Sequence, residues 1–371
     1  MIRNFSNIFG WRTDRKVVCF ECDDWGSIRI SNKESKERLL ANGIPLNSNY
    51  FTKFDTLESD IDLRMLFELV ASFEDTKGNH PVITTLNIMG NPDFYEIEKG
   101  SFSRYYWQPL AQTYLDYGLN PGLMQETWKE GVQKGFIYPA FHGREHLHVN
   151  RWMGGLQQKL PVTMMAFKEG ITGLHPQMAR EQRKEYQAAF DAETPEDIDF
   201  LKMSIPQGLK EFEDYFGFRA RYFVPANGFF PVSILPMLKH EGIEYINTPK
   251  MGKSPTGRGT YERYFRYLGK RVADGIYYIT RNAAFEPSNP IKGEDWLQKC
   301  LENIRRAFNM GKPAVIGMHR VNYVGGIDEA NRDFGLSQLR MLFSKILLAW
   351  PDVEFMSTEQ LGDLIKARLV P

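Results

Sequence analysis

Val17-Val18-Cys19-Phe20-Glu21-Cys22-Asp23-Asp24-Trp25-Gly26-Ser27 starts as an apolar run and ends in charge. The β-branched and aromatic residues predict a buried strand over Lys16–Glu21. Two carboxylates then stand side by side at the strand end. Adjacent like charges repel, so one of the pair tends to hold its proton unless a cation lies between or beside them. A divalent cation resolves that conflict: one Asp ligates it, the other acts as a base on water. A solvated turn or helix cap is the plain alternative, and these residues alone do not choose between them.

The rest of the chain repeats the pattern of short apolar run and longer amphipathic stretch. Further strands are predicted over Pro81–Asn87, Phe136–Phe141, Ala220–Val224, Tyr245–Asn247, Gly275–Thr280, Ala314–Met318 and Val353–Phe355. Helical spacing of apolar residues marks Lys36–Ala41, Asp62–Phe73, Tyr105–Tyr117, Thr127–Lys134, Met178–Phe190, Glu196–Phe216, Pro231–His240, Trp296–Asn309, Ser337–Ala349 and Thr358–Leu369, the last with Ser357 as its cap. Such alternation implies a parallel sheet with right-handed crossovers. Seven or eight units in 371 residues suggest a closed α/β barrel forming a single domain, with an open doubly wound sheet as the alternative. No glycine-rich phosphate-binding motif follows the first strand. The stretch Val149–Asp199 exceeds a simple crossover and reads as a helical insertion. Met251–Arg266 reads as a long surface loop.

Active-site residues of parallel barrels gather at the C-terminal strand ends. The third strand runs into Phe141-His142-Gly143-Arg144-Glu145-His146-Leu147-His148, which holds three of the seven histidines. His142 and His146 have the i, i+4 spacing by which two imidazoles reach one cation. The seventh run ends in Met318-His319-Arg320, where a histidine is placed as a general acid or base or as a satisfied core residue. The fourth offers Arg219 and Arg221, either of which would keep Asp23 ionised from the inner face, or else form surface pairs. Beyond it Asn227 and Gly228 stand where a loop approaches substrate. Trp25 and His148 are the other candidate substrate contacts.

Composition narrows the partners. With 46 basic and 46 acidic residues the chain lacks the basic excess that marks nucleic-acid binding. Cys19, Cys22 and Cys300 are too few and odd in number for a disulfide framework, and fit a reducing compartment. The C-x-x-C spacing of the first two lies in a predicted strand, so buried thiols are expected rather than a redox or zinc pair. No run of about 18 apolar residues suggests a membrane span. Met1–Gly10 lacks the apolar core of an export signal, so the expected location is the cytoplasm.

Taken in order, Phe20-Glu21-Cys22-Asp23-Asp24, His142-x-x-x-His146 and Gly317-Met318-His319 resemble the motifs of the polysaccharide deacetylase superfamily, the NodB-homology or carbohydrate esterase family 4 type. The resemblance runs from Val17 to His319. It implies a distorted (β/α)7 barrel and one divalent metal ion, zinc or else cobalt, nickel or iron, held by Asp24, His142 and His146. It implies Asp23 as general base and His319 as general acid. It also implies an acetylated carbohydrate as substrate, which for a cytoplasmic enzyme would be a soluble or lipid-linked sugar. Hydrolysis of an O-acetyl ester or a non-sugar amide, and an inactive barrel that binds carbohydrate, are the other readings. The chain departs from the family at the third motif, where Arg221 stands too far from Pro225 and Asn227 replaces an aromatic. It departs again at the fourth, where Glu286 is the nearest stand-in for an acidic residue. Trp25 also stands between the Asp pair and its glycine.

Overall fold

A computed structural model describes residues 8–172, 174–179, 184–272, 275–291 and 295–369. Residues 1–7, the start of the segment read for an export signal, lie outside it. Nine short strands build the main sheet: β1 (Lys16–Trp25), β2 (Ile83–Ile88), β3 (Ile137–Gly143), β4 (Tyr222–Phe223), β5 (Tyr245–Asn247), β6 (Tyr277–Ile279), β7 (Ala283–Ala284), β8 (Ala314–His319) and β9 (Val353–Phe355). Eight of them follow the order β6-β5-β4-β3-β2-β1-β8-β7, every neighbouring pair parallel. β9 pairs with Lys16–Val18, ahead of the residues that meet β2.

The two edge strands of that path are nearly continuous in sequence. Only Thr280-Arg281-Asn282 separates β6 from β7. So short a segment cannot cross a flat eight-stranded sheet. The sheet therefore curls until its edges meet, which is the distorted barrel expected. Asn282 helps to close it, its backbone N–H donating to the Val315 carbonyl and its side chain accepting from the Val315 N–H.

Strand alternation sorts the residues of β1 into two environments. Val18, Phe20 and Cys22 face the surrounding helices, and Val17 and Cys19 face the barrel axis with Leu86, Ala140, Tyr222, Tyr245 and Val315. Cys19 and Cys22, three apart, thus point to opposite faces and form no pair; both are buried free thiols. The lower barrel is apolar and the upper barrel polar, because Glu21 and Asp23 continue the inward row.

Local signals fix the helices. Asp60–Ala71 and Pro195–Phe216 each begin with a capping box, at Ser59 and Thr194, and Gly217 ends the second in the left-handed region. Ser357 caps Thr358–Leu369, accepting from the Gln360 N–H. No helix among the described residues is long and apolar enough to cross a membrane.

Three expectations are corrected. In Tyr105–Tyr117 the helix covers only Leu110–Asp116, because Trp107–Pro109 pairs antiparallel with Gly90–Pro92. Met251–Arg266 is a hairpin, Met251–Pro255 against Tyr261–Phe265, whose turn uses positive φ at Gly257 and Gly259. The insertion after Val149 has helices at Val149–Gln157 and Pro161–Lys168. Met178–Phe190 shows turns where it is described, with residues 180–183 outside the description. Its apolar residues serve separate surfaces: Met178 and Ala179 join one cluster, Tyr186 a second and Phe190 the main core.

Candidate metal centre and catalytic pair

Asp23 and Asp24 would face opposite sides of a regular strand. Instead β1 bulges here: its register with β2 shifts between Cys22 and Trp25, and Asp24 takes φ +77°. That left-handed conformation is uncommon outside glycine and is strained. It turns Asp24 to the same side as Asp23. Gly26 follows at φ +76°, where any Cβ would stand 2.3 Å from the Ile88 carbonyl oxygen. Both Gly26 and the bulge are pinned by Glu58, whose carboxylate accepts from the Gly26 N–H at 3.0 Å. Glu58 also binds Tyr114 and Arg320, the residue after His319. One buried carboxylate thereby ties the ends of β1 and β8 together.

Three candidate ligands converge at this rim. Asp24 Oδ1 lies 3.2 Å from His146 Nε2 and 3.5 Å from His142 Nε2, and all three residues are buried. His142 donates through Nδ1 to the Val224 carbonyl at 2.6 Å, which fixes the ring with Nε2 toward Asp24. At these distances the two imidazole nitrogens and the carboxylate oxygen are near enough to share one cation. The donor set of two imidazoles and one carboxylate therefore fits a divalent metal ion. Burial opposes ionisation of Asp24, but His146, His142 and Arg29 hold its carboxyl well below the usual aspartate range. Arg29 donates to the other Asp24 oxygen at 3.1 Å.

Beside the candidate ligands stand Asp23 and His319. Asp23 is gripped by Arg281 through both oxygens, at 2.8 and 2.5 Å. Burial disfavours its charge, yet Arg281 and then His319 keep its pKa lowered. His319 Nε2 stands 3.6 Å from Asp23 Oδ2, and its Nδ1 is 2.5 Å from Glu286 Oε1. Glu286 is oriented in turn by Asn322, whose amide donates to Oε2 at 2.9 Å. Burial pulls the imidazole pKa down, but Glu286 and the aspartates push it up to about 10. Each member of the pair thus favours the charged form of the other. Arg281 is itself held from below by Glu21, which also accepts from Tyr222 and Asn247. Gly317 makes the crossing possible: a Cβ there would lie 2.7 Å from the Arg281 side chain.

A cavity of about 480 Å³ opens over these groups, lined by Asp23, Asp24, His142, His146, Arg281 and His319 together with Asn227, Gln187 and Phe51. Phe51 packs edge-on against His319, ring centres 5.0 Å apart.

Four sequence expectations fall elsewhere. Arg221 precedes β4, at the far end of the barrel from the cavity, and binds Glu244, Glu359 and Asp363. Arg219 pairs with Glu213 on the surface. Trp25 returns to the outer face after the bulge, fully buried edge-on to Trp128. His148 caps helix Val149–Gln157, accepting from the Arg151 N–H, and bonds the Asp191 carbonyl through Nε2. Arg281 was missed although Tyr277, Ile279 and Arg281 stand at alternate positions, a period of two that carries the inward face of β6 to the rim. Arg29 and Gln187 come from connecting segments, and Phe51 from the short helix Tyr50–Phe54, with no such pattern.

No family model matches the sequence, and no curated protein does. Among solved structures, a polysaccharide deacetylase from Mycobacterium smegmatis is 11% identical, with 98% of this chain and 94% of that one covered and a TM-score of 0.44. PuuE allantoinase is 9% identical, with 95% and 91% covered and a TM-score of 0.46. A de-N-acetylase from Aggregatibacter actinomycetemcomitans is 11% identical, with 71% and 92% covered and a TM-score of 0.27.

Proposed function

We propose that the chain is a metal-dependent hydrolase that removes the acetyl group from an N-acetylated sugar. The observation that carries this reading is the placement of Asp23 and His319, 3.6 Å apart, beside the three converging ligands. A mere binder of carbohydrate has no need of that pair. Asp24, His142 and His146 would hold one divalent ion, zinc by its donor set, with cobalt, nickel or iron also suited. Such an ion supplies Lewis acidity, polarising a carbonyl oxygen and lowering the pKa of water.

The chain's own groups do the rest. Asp23 accepts a proton from the water that adds to the acetyl carbon. Arg281 positions the Asp23 carboxylate and keeps it charged. His319 gives a proton to the sugar nitrogen as the C–N bond breaks, so that acetate and a free amine leave. Glu286 holds the imidazole upright and supplied with that proton. A protonated acid matters most when the leaving group is an amine, which is why the amide is favoured over the O-acetyl ester. The sugar as substrate rests on the resemblance of the strand-end motifs.

The test is acetate release from matched N-acetyl and O-acetyl sugars, with and without a chelator. Chelator-sensitive release from the N-acetyl compounds is expected. Release that ignores chelation, or that is confined to the esters, would overturn the reading.

A further inference from the structure

Gln187 is the one buried residue of the cavity wall, among the described residues, whose polar side-chain atoms are both idle. It is 2% exposed, it lines the cavity above the metal ligands, and neither its amide nitrogen nor its amide oxygen makes a hydrogen bond among the described residues. Buried amides are nearly always paired, since an unpaired one loses its water without compensation. The side chains around it show the contrast: Asp23, Asp24, His142, Arg281 and His319 all have partners. An idle amide on a residue that lines such a cavity fits a group that a ligand completes.

The chemistry of the carboxamide narrows the ligand. One edge offers an N–H and a C=O side by side. An anion would use the donor and confront the carbonyl; an ammonium would do the reverse. The acetamido group itself is a trans amide, whose N–H and C=O point in opposite directions, so Gln187 cannot take both. Two neighbouring hydroxyls of a sugar ring can each give or accept and match the edge fully. Asn227, exposed at the same cavity with φ +62°, adds a second group of the same two-way kind. Several such groups suit a ring bearing several hydroxyls.

We infer that Gln187 is a specificity-determining residue that reads a pair of adjacent ring hydroxyls, and so makes the cavity select a sugar over a simple acetamide. This rests on the cavity being the substrate site proposed above. It also gives the insertion after β3 a task, since Gln187 lies on its returning limb.

The experiment compares wild type with Gln187→Leu and Gln187→Glu. Binding of N-acetylglucosamine, N-acetylgalactosamine and N-acetylmannosamine is measured by ligand-observed NMR on the full chain, with hydantoin as a cyclic-amide control. Melting temperature, metal content and acetate release are read on the same samples. At least one sugar should bind wild type, and Gln187→Leu should weaken it by about 10- to 100-fold, the loss of two hydrogen bonds. Gln187→Glu, which keeps an acceptor and loses the donor, should fall between and serves if the leucine variant does not fold. Gln187→Leu should melt no lower than wild type, because it breaks no hydrogen bond in the free protein. Unchanged sugar affinity, metal lost with the side chain, or binding of hydantoin in place of every sugar would each overturn the assignment. If no sample releases acetate while Gln187→Leu still weakens sugar binding, the hydrolase reading fails and this one stands.

Discussion

The Asp23 carboxylate and the Arg281 guanidinium meet fork to fork although 258 positions separate them, Oδ2 on Nη1 at 2.8 Å and Oδ1 on Nη2 at 2.5 Å. The same guanidinium reaches Glu21 through Nε at 2.5 Å. One cation therefore pairs with two buried carboxylates. Replacing it should raise the Asp23 pKa, which burial alone already pushes upward. In Arg281→Met the acid limb of the kcat/KM profile should move to higher pH, and kcat/KM at neutral pH should fall. The stability Asp23 gains from Arg281 is present above the ordinary aspartate pKa and lost as pH falls through its lowered folded value, so the acid-side melting curve should also separate the variants. Coincident pH profiles would remove Arg281 from its positioning role.

The two aspartates should separate by readout. Asp23→Asn should retain metal and lose about 10²- to 10⁴-fold in turnover, the usual worth of a general base. His142→Ala and Asp24→Ala should lose the metal itself. Elemental analysis beside acetate release decides it. Metal loss in Asp23→Asn would exchange the roles of the two aspartates.

Glu286 should set the alkaline limb. His319 is raised to about 10 against burial, with Glu286 the first of the groups that raise it. Glu286→Gln keeps the shape and removes the charge, so the His319 pKa should drop and the alkaline fall in kcat/KM should begin at lower pH. The sign for stability follows: a raised histidine stabilises fully below its unfolded pKa and loses that contribution as pH climbs through the folded value. The variant should thus lose stability at neutral pH and converge on wild type in strong alkali. NMR titration of His319 gives the check.

Arg320 should be costly to remove. Its side chain is fully buried, as are its partners Asp55 and Glu58. Arg320→Met leaves Glu58 without its cation and Asp55 with Arg29 alone, at 3.5 Å, and frees the residue that pins Gly26. A loss of about 3–5 kcal/mol is expected from breaking such a pair. Urea unfolding measures it, and a loss under about 1 kcal/mol would place the triad among the weak surface pairs.

The sequence alone settled much that depends on neighbours in the chain. Apolar runs separated by amphipathic stretches marked the strands at β1, β2, β3, β5 and β8, because burial on both faces of a parallel sheet writes itself as continuous β-branched and aromatic residues. Charge or histidine following such a run marked Asp23, Asp24, His142, His146 and His319, since strand ends are where a barrel exposes its residues. The buried thiols of Cys19 and Cys22 followed from their place at an apolar run with no second cysteine pair to join.

What tertiary structure decided depends on residues far apart. Nothing in Asp23-Asp24 announces the bulge that turns both inward; that turn is fixed by Glu58, Arg320 and the contact of Gly26 with β2. The partner of Asp23 could not be read from strand β4, because Arg221 lies at its beginning and only C-terminal ends reach the cavity. It comes from β6, carried there by the curling of the sheet that brings the two edge strands together at Arg281. Glu286 meets His319 because β7 lies beside β8 in the sheet, the Phe285 N–H donating to the Gly317 carbonyl. Gln187 has no local signature at all, for an unpaired amide becomes visible only when everything around it has been placed.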